Sequence, residues 1–381
     1  MTTSSAGSSI SSALLVVAAL AIFACGGPTP PRGADAGESS SSNDAGGPDA
    51  GPDAGAAGFD AGAPGFDAGA VTNPSFPHDF PDPFVLRVAG EFHAYSTNRD
   101  VGGTRWNIPH QLSTDLVHWR WVGDALPAVG GWADGSGAFQ WAPSVLAQGP
   151  TSYVLYYASH RAGTPGQLCV GRAVAATPDG PFVDSWDQPL VCDTTDAALY
   201  WSIDPSPFVD ADGGLYLLWR QDGPPLGGAT SAENAVAIRR LDPTGLSFAA
   251  GSAPVTLLSR TPGSWEDPVM ENPAMRRVGG IYLVFYSANA WQSASYGIGY
   301  GRCASALGPC TKETPSRPWV GNEGARLGPG GEDFFTDPSG ALWMSMHGWI
   351  APNVGYGAGG VRALWVYPFA APGGVPALAS P

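Results

Sequence analysis

Three carboxylates could carry out proton-transfer chemistry together, although they lie far apart along the chain. Asp82 and Asp204 each stand directly before a proline, and Glu271 stands two residues before Pro273. Like charges brought into one site cost free energy unless their pKa values move apart, and general acid and base catalysis needs that separation. A single such Asp would more often be a turn or capping residue. Three acids at equivalent points of a repeat predict one catalytic site.

The elements that must position these acids recur from residue 73 onward. Each copy has a small or acidic residue, usually followed by proline, then an apolar stretch, a glycine turn and an aromatic-rich strand. The intervals between successive prolines of the first four copies are 60, 62 and 68 residues. The copies begin at Asp82-Pro83, Ala142-Pro143, Asp204-Pro205, Asn272-Pro273 and, in degenerate form, Asp333-Phe334.

Each copy is typical of a β-hairpin, and the rest of each repeat leaves room for two more strands. Four strands per unit, repeated five times around an axis, predict an all-β fold, a five-bladed β-propeller. The inner strand of every blade would start near the axis, so Asp82, Ala142, Asp204, Glu271 or Asn272, and residues 331–333 would converge. The alternative is a β-sandwich with coincidental hairpins, a fold that would not require the same sequence pattern to occur five times.

The composition narrows the class of partner. The 381 residues carry a formal net charge of −15. Nucleic acids and anionic membrane surfaces both require Lys and Arg to neutralise phosphates, so we expect neither as a partner. With 14 Trp, 12 Tyr and 15 Phe beside 53 Gly and 37 Pro, the chain favours short strands joined by turns over long helices.

The N-terminal part predicts export. Residues 1–25 contain an apolar run from Ala13 to Ala24 that suits a signal peptide and is too short to span a bilayer. The run ends in Ile22-Phe23-Ala24-Cys25, which resembles a bacterial lipobox, and this resemblance implies acylation of Cys25. We expect a protein that is lipid-anchored in the cell envelope, with the lipid as its sole membrane contact, or one that is secreted.

Residues 26–72 predict a disordered linker rich in Gly, Ala, Pro and Asp. The triplet Asp-Ala-Gly occurs six times there. Such a stretch buries too little apolar surface to offset its ordering entropy, so it would act as a flexible tether for a domain over residues 73–381. A calcium-binding repeat is the alternative, which the irregular spacing of the triplets disfavours.

Four cysteines remain once Cys25 is set aside, and three pairings of them are possible. Proximity in the sequence favours Cys169–Cys192 and Cys303–Cys310, each of which closes a short loop. Neither spacing resembles a metal knuckle, and an exported protein meets an oxidising environment. We therefore expect two structural disulfides.

Several short motifs follow one another in a characteristic order. They are Asp79-Phe80-Pro81-Asp82-Pro83, Ser113-Thr114-Asp115-Leu116-Val117-His118-Trp119, Trp141-Ala142-Pro143-Ser144-Val145, Gly180-Pro181-Phe182-Val183-Asp184, Ile203-Asp204-Pro205-Ser206-Pro207-Phe208, Glu271-Asn272-Pro273, Gly328-Pro329-Gly330 and His347-Gly348-Trp349. In order and spacing these motifs resemble glycoside hydrolase family 43 over residues 73–370. The five-bladed fold that this resemblance implies agrees with the repeat count.

The resemblance implies a role for each acid. Asp82 would be the general base that activates water, and Glu271 the general acid that protonates the leaving oxygen. Asp204 would keep the pKa of Glu271 high and orient it. Inversion of configuration, also implied, requires the base and the acid to stand about 6.5–9.5 Å apart. Glu266 competes for the acid role, although Glu271 fits the repeat better.

Aromatic residues are candidates for substrate contact. Trp141, Trp201 and Trp291 could stack on a sugar ring, and Trp106 is a weaker candidate, although a Trp is otherwise an ordinary core residue. The resemblance also implies that His347 helps to hold a structural calcium ion; the alternative is a satisfied buried histidine, because imidazole is an uncommon ligand for a hard cation.

One segment departs from the family pattern. Relatives usually carry a His directly after Gly-Pro-Gly, whereas this chain continues Gly331-Glu332-Asp333. A sugar or metal contact is either lost here or replaced by Glu332.

The leading functional hypothesis is an inverting hydrolase that cleaves α-L-arabinofuranosidic bonds of arabinan or arabinoxylan. A β-xylosidase is the nearest alternative, and a surface glycan-binding propeller without activity is the alternative from another class. The sequence ends soon after the fifth copy, which leaves no room for an appended β-sandwich and favours the arabinan type. We expect a poly- or oligosaccharide substrate, a monomer, and no required cofactor beyond a possible structural calcium ion.

Overall fold

The computed structural model describes residues 66–136, 139–164, 166–192, 200–223 and 233–380. The predictions for the signal peptide, for Cys25 and for most of the linker lie outside these residues. Strands dominate the described part, with three single-turn 3-10 helices at Ala68–Ala70, Tyr356–Ala358 and Pro372–Gly374. None of the described helices is long and apolar enough to cross a membrane.

The strands form antiparallel sheets that follow one another along the chain, and the five main sheets are blades I to V. Blade I contains β1 (Phe84–Val88), β2 (Glu91–Tyr95), β5 (Pro109–Ser113) and β6 (Arg120–Asp124), with the hairpin β3 (Arg99–Val101) and β4 (Thr104–Trp106) inserted. Blade II contains β7 (Trp141–Gly149), β8 (Ser152–His160) and β9 (Leu168–Ala175). Blade III contains β10 (Ser202–Val209), β11 (Leu215–Gly223), β12 (Glu233–Arg240) and β13 (Val255–Ser259).

Blade IV contains β14 (Met270–Val278), β15 (Ile281–Ala288), β16 (Gly297–Cys303) and β17 (Cys310–Lys312). Blade V contains β18 (Arg326–Thr336), β19 (Leu342–Ile350), β20 (Arg362–Ala370) and β21 (Ala377–Leu378). The first strands of the blades form a ring, in which β1 contacts β7 and β18, β10 contacts β7 and β14, and β14 contacts β18. The five-bladed β-propeller predicted from the repeats is therefore confirmed.

The second strand of a blade is buried on both faces because neighbouring blades cover it. In β8 every residue from 153 to 159 is buried, and in β15 every residue from 283 to 288 is buried. Such strands read as continuous apolar and aromatic runs rather than as alternating patterns. This packing explains why the copies were recognisable by aromatic-rich strands.

The chain closes the ring by pairing the segment before blade I with blade V. Phe76 forms a β-bridge with Leu364, and the side chain of Asn73 exchanges hydrogen bonds with the backbone of Val366. These contacts join residues that are almost 300 positions apart in the sequence. The last blade is thereby held to the segment that leads into the first.

Packing begins a few residues before the predicted domain start at residue 73. Phe66 contacts the rings of Phe92 and Trp343, at centroid distances of 5.5 and 6.0 Å. Val71 is buried in the same apolar cluster. Phe66 and Val71, at the end of the predicted linker, thus pack against residues of blades I and V.

Both expected disulfides are present. Cys169–Cys192 ties β9 to the segment that runs along its edge, and Cys303–Cys310 joins directly opposed residues of β16 and β17. Disulfides of this kind are typical of proteins in oxidising compartments.

Candidate active site

The innermost strand of each blade places one residue with a left-handed backbone beside the axis. Their φ angles are +51° for Asp82, +44° for Ala142, +57° for Asp204, +49° for Asn272 and +62° for Gly331. The strand register shifts at this point in blades II to V, which marks a β-bulge, and bulges re-aim side chains. A non-glycine residue in this conformation costs on the order of 1 kcal/mol, and such strain is concentrated at functional sites.

All five left-handed residues line one small axial cavity of about 30 Å³. The structure thus brings Asp82 and Asp204 to the same point, as the repeats predicted. In blade IV the left-handed residue is Asn272, so Glu271 occupies the preceding position, which Trp141 holds in blade II. Glu271 is nevertheless part of the site, because its side chain contacts Arg220 of blade III and its charge acts on Asp204 of the same blade.

Asp82 is surrounded by groups that favour its charge. The hydroxyl of Thr97 donates to Oδ2 at 2.6 Å, and Nδ1 of His347 lies 3.3 Å from Oδ1. Burial alone would raise the pKa of Asp82, but the hydrogen bond with His347, the charge of Arg362 and the hydrogen bond from Thr97 outweigh it. The pKa of Asp82 is held well below its usual range, so Asp82 is ionised at neutral pH.

Asp204 and Glu271 lie in surroundings that favour their protonated, neutral forms. Burial raises the pKa of both carboxyls. The pKa of Asp204 lies well above its usual range, because the charge of Glu271 raises it further. Asp82 adds to this effect, because its negative charge raises the pKa of both groups. The backbone N–H of Asn272 donates to Oδ2 of Asp204 at 3.0 Å and fixes that carboxyl.

Arg220 opposes the rise in the pKa of Glu271. Its Nη1 lies 2.7 Å from Oε2 of Glu271, and its other nitrogens make a two-pronged contact with Asp222, at 3.0 and 2.8 Å. The hydroxyl of Tyr296 donates to Oε1 of Glu271 at 2.8 Å. Both contacts lower the pKa of Glu271 against the larger effect of burial. Asp204 and Glu271 therefore form a buried pair that holds a proton, with Glu271 the better hydrogen-bonded member.

A ring stack connects the two sides of the site. The ring of Tyr296, which contacts Glu271, lies parallel to the ring of His347, which contacts Asp82, at a centroid distance of 5.9 Å. Glycine is required beside this stack. A Cβ on Gly330 would lie 2.1 Å from the Tyr296 ring, and one on Gly331 would lie 2.6 Å from Nδ1 of His347.

The candidate tryptophans fall into two groups. Trp141 and Trp201 contact each other edge-on at 6.3 Å, and Trp201 also lies under the guanidinium of Arg220 at 5.3 Å. Trp291 lies under the guanidinium of Arg362 at 4.4 Å. Both arginines act on the acids, so these three partly exposed rings lie close around the site.

Trp106 is placed differently. It lies in the inserted hairpin of blade I and contacts Trp121 edge-on at 5.6 Å. Among the described residues, its ring contacts involve none of the three acids or the arginines beside them.

The departure at residues 331–333 has a clear structural result. Glu332 occupies the position that proline holds in the other four copies, and its side chain is buried against the hydroxyl of Ser287. Burial raises the pKa of Glu332 to about 8. Asp333 contacts Arg276 and Ser206, each at 3.4 Å. The segment thus lines the axial cavity with two carboxyl groups.

Glu266, the competitor for the acid role, lies in a different environment. It is fully buried in blade IV, where it pairs with Lys312 at 2.7 Å and accepts a hydrogen bond from Tyr286 at 2.8 Å. These contacts tie together the outer part of the blade. Glu271, in contrast, contacts Arg220 and acts electrostatically on Asp204.

His347 allows a test of the expected calcium ion. Nδ1 accepts a hydrogen bond from the backbone N–H of Asp82 at 3.1 Å, while Nε2 is buried and has no hydrogen-bond partner within the described part of the chain. A buried unpaired nitrogen is a place where an ordered water is expected, whereas calcium prefers six to eight oxygen ligands. The surroundings of His347 fit an ion held through water and do not fit one bound by the ring.

Four residues of the site were missed in the sequence, namely Thr97, Arg220, Tyr296 and Arg362. Arg220 left one usable signal, because it is a lone cation directly after the apolar run Leu215–Trp219. Cations inside strands that are buried on both faces require a partner. Thr97 and Tyr296 stand outside the strands and Arg362 is the first residue of β20, and only the fold brings these three residues to the acids.

The chain is similar in sequence to known proteins. A family model described as "Glycosyl hydrolases family 43" matches residues 71–362. A β-D-galactofuranosidase of Aspergillus niger is 26% identical over 284 residues, covering 72% of this chain and 75% of the relative. An arabinoxylan arabinofuranohydrolase of Bacillus subtilis is 26% identical over 272 residues, covering 63% of this chain and 50% of that protein.

Solved structures give the same fold. A thermostable family-43 glycoside hydrolase superposes with a TM-score of 0.67 at 24% identity, covering 82% of this chain and 96% of the other. An exo-1,5-α-L-arabinanase from a bovine ruminal metagenomic library superposes with a TM-score of 0.60 at 20% identity, covering 83% and 99%. With a family model that spans most of its length, the chain belongs to family 43 of the glycosyl hydrolases.

Proposed function

We propose that the protein is an inverting glycosidase that cleaves α-L-arabinofuranosidic bonds of plant pentose polysaccharides, with Asp82 as base and Glu271 as acid. One observation carries the proposal. Carboxyls gathered at one axial site have pKa values moved in opposite directions, down for Asp82 and up for the Asp204–Glu271 pair. An enzyme that needs one ionised and one protonated carboxyl at the same pH requires that arrangement.

Asp82 would accept a proton from the attacking water. Its carboxylate is ionised and held in place by Thr97 and His347, so it needs no rearrangement before reaction. As water attacks the anomeric carbon, the O–H bond breaks toward Asp82. Any calcium ion held through water near His347 would fix the ring and thereby Asp82, and would supply no chemistry to bond cleavage.

Glu271 would give its proton to the leaving oxygen as the glycosidic bond breaks. Asp204 keeps a proton available, because two carboxylates packed together in a buried site cannot both ionise at neutral pH. Once Glu271 is ionised, its contacts with Arg220 and Tyr296 stabilise the new charge. The pair thus favours the protonated form before transfer and accommodates the ionised form after it.

The substrate class follows from the site and the relatives together. Trp141, Trp201 and Trp291 offer flat apolar faces for the C–H face of a sugar ring. The Bacillus subtilis relative is named for arabinoxylan. The Aspergillus niger relative is named for β-D-galactofuranose, which has the ring configuration of α-L-arabinofuranose and a longer exocyclic chain. A furanoside is the common element, and a β-xylosidase or a catalytically inactive glycan-binding propeller are the alternatives.

The location of the enzyme is a further part of the proposal. We expect export directed by residues 1–25, a lipid on Cys25 and a tether that holds a monomeric propeller away from the membrane. Metabolic labelling with a radioactive fatty acid tests the lipid. Incorporation that Cys25→Ala removes would support the anchor, and equal incorporation in both forms would contradict it.

The activity is tested by product release from linear arabinan, arabinoxylan and xylan, and from aryl α-L-arabinofuranosides and β-D-galactofuranosides. Asp82→Asn and Glu271→Gln would be compared with Asp212→Asn and Glu313→Gln, matched changes outside the site. We expect arabinose or arabino-oligosaccharides from the wild type and both controls, and almost none from the two site variants. Galactofuranose release alone would change the assigned sugar, xylose alone would support the xylosidase, and binding to a glycan with no release would support the inactive propeller.

A further inference from the structure

A second cluster of ionisable residues lies away from the three acids, where blade I meets blade II. His93 on β2 and His110 on β5 project from the same face of blade I, because His110 pairs with Tyr95 and His93 is two residues away. Asp179 approaches them from the loop that follows β9, which is anchored by a hydrogen bond from Tyr95 to the carbonyl of Pro178 at 2.5 Å. Both histidines are buried, and Asp179 is about half exposed.

The distances within this cluster suit a metal ion. Nδ1 of His93 lies 3.1 Å from Nε2 of His110 and 3.4 Å from Oδ1 of Asp179. A tetrahedral ion with ligands at 2.0–2.1 Å holds neighbouring ligand atoms about 3.3 Å apart. Oδ1 of Asp179 lies 4.0 Å from the other ring nitrogen of His110, Nδ1, so the carboxylate has to move closer to complete a set of three ligands. Asp179 is on an exposed loop and can close that gap.

Protein contacts alone leave this cluster incompletely paired. The two histidines share one hydrogen bond, and Nδ1 of His110 is buried with no partner among the described residues. A buried imidazole nitrogen without a hydrogen-bond partner is available to ligate a metal ion.

We propose that His93, His110 and Asp179 bind a divalent transition metal of the zinc class at the junction of blades I and II. Two imidazoles and one carboxylate are a common zinc ligand set, and a water beside the half-exposed Asp179 would take the fourth position. Within the described residues this is the one group of three such side chains whose ligand atoms all lie within 4.8 Å of one another. The ion would link strands of blade I to a loop of blade II, so its role is to stabilise the fold.

The test is metal binding by the full chain after removal of metals with a chelator. ZnCl2 is titrated by calorimetry, and CoCl2 is titrated with detection of its visible absorption, which reports tetrahedral nitrogen and oxygen coordination. The variants are His93→Gln and Asp179→Asn, and near-ultraviolet circular dichroism confirms that each is folded. Asp212→Asn is the control for an exposed carboxylate, and Asp82→Asn is the control for binding at the axial acids.

We expect one zinc ion per chain, a tetrahedral cobalt spectrum and a rise of a few degrees in Tm with zinc. Each ligand variant should weaken zinc binding by at least about tenfold, since even residues that only orient metal ligands contribute tenfold or more. Both controls should bind zinc like the wild type. Absence of stoichiometric zinc binding, or binding that His93→Gln and Asp179→Asn leave unchanged, would overturn the proposal.

Discussion

The two sides of the axial site are built from the same residue type and have opposite properties. On the side of blades I and V, Asp82 has a hydroxyl, a histidine and the charge of Arg362 around it, and its pKa falls. On the side of blades III and IV, Asp204 and Glu271 face each other, and their pKa values rise. Burial raises the pKa on both sides, so burial does not make the difference.

The difference arises from which neighbours each blade supplies. Hydrogen-bond donors and a cation favour the ionised form, whereas a second carboxyl beside the first favours the protonated form. On the side of blades III and IV, Arg220 partly offsets the rise in the pKa of Glu271, because its positive charge favours the ionised form of that carboxyl. The site therefore has one carboxylate that is always charged and a pair that can release a proton.

The largest effect is expected for Asp82→Asn, which removes the charged side. An amide cannot accept the proton of water, so kcat should fall by about 10²–10⁴-fold, the usual contribution of a general base. KM should change little, because the amide keeps the shape of the side chain. Initial rates on an aryl arabinofuranoside measure the loss, and a fall of less than tenfold would remove Asp82 from the base role.

Asp204→Asn should have the next largest effect, because it removes the like-charged neighbour of Glu271. In the role proposed for Asp204, loss of this neighbour lowers the pKa of Glu271, so less of the acid is protonated. The alkaline limb of the pH profile of kcat/KM should move to lower pH, with a loss of about tenfold or more at neutral pH. An unmoved limb would show that Asp204 only positions Glu271.

Arg220→Gln should move the same limb in the other direction. The charge of Arg220 lowers the pKa of Glu271, so its removal raises that pKa and keeps the acid protonated at higher pH. We expect a smaller change in rate, with Asp222→Asn as the control that disturbs Arg220 while keeping its charge. A limb that moves down, or follows Asp222→Asn, would contradict the role given to Arg220.

The smallest change in activity is expected for Glu332→Gln, whose effect is on stability. The pKa of Glu332 rises from 4.5 to about 8 on folding, so the folded protein holds a proton that the unfolded chain loses above pH 4.5. This stability is fully present below pH 4.5 and is lost as the pH rises toward 8. Between pH 4.5 and 8, the free energy of unfolding of the Gln variant should increase relative to that of the wild type, by up to about 4 kcal/mol.

Urea unfolding at a series of pH values measures this difference. Glu323→Gln, a change at an exposed glutamate, is the matched control and should follow the wild type. If the difference between Glu332→Gln and the wild type were constant with pH, Glu332 would have an ordinary pKa.

Much of the fold could be predicted from the sequence because the copies are physically redundant. Each copy repeats the same turn and the same doubly buried strand, so five weak signals support one architecture. The convergence of Asp82 and Asp204 follows from that architecture alone. Blade II has three strands in one sheet, and its edge is completed by single bridges such as Val170 with Val191. No feature of the sequence repeat indicates this.

The rest of the site depends on details that a repeat does not encode. The spacing leaves Glu271 and Asn272 as equal candidates, and the bulge decides that Asn272 takes the left-handed position. Tyr296 reaches Glu271 from the position directly before the third strand of its blade, and Arg362 lies on the third strand of blade V. Such contacts depend on strand register and side-chain direction, which are set by the packed blades.

The most direct test of the division between the two sides is how the rate depends on the leaving group. Phenyl and dinitrophenyl α-L-arabinofuranosides differ in how much their departing oxygen needs a proton. Glu271→Gln should lose about 10²–10⁴-fold in kcat on the phenyl substrate and less than about tenfold on the dinitrophenyl one, whereas Asp82→Asn should lose the same factor on both. An equal loss on both substrates for Glu271→Gln, or recovery of Asp82→Asn with dinitrophenyl, would contradict the assignment of base and acid.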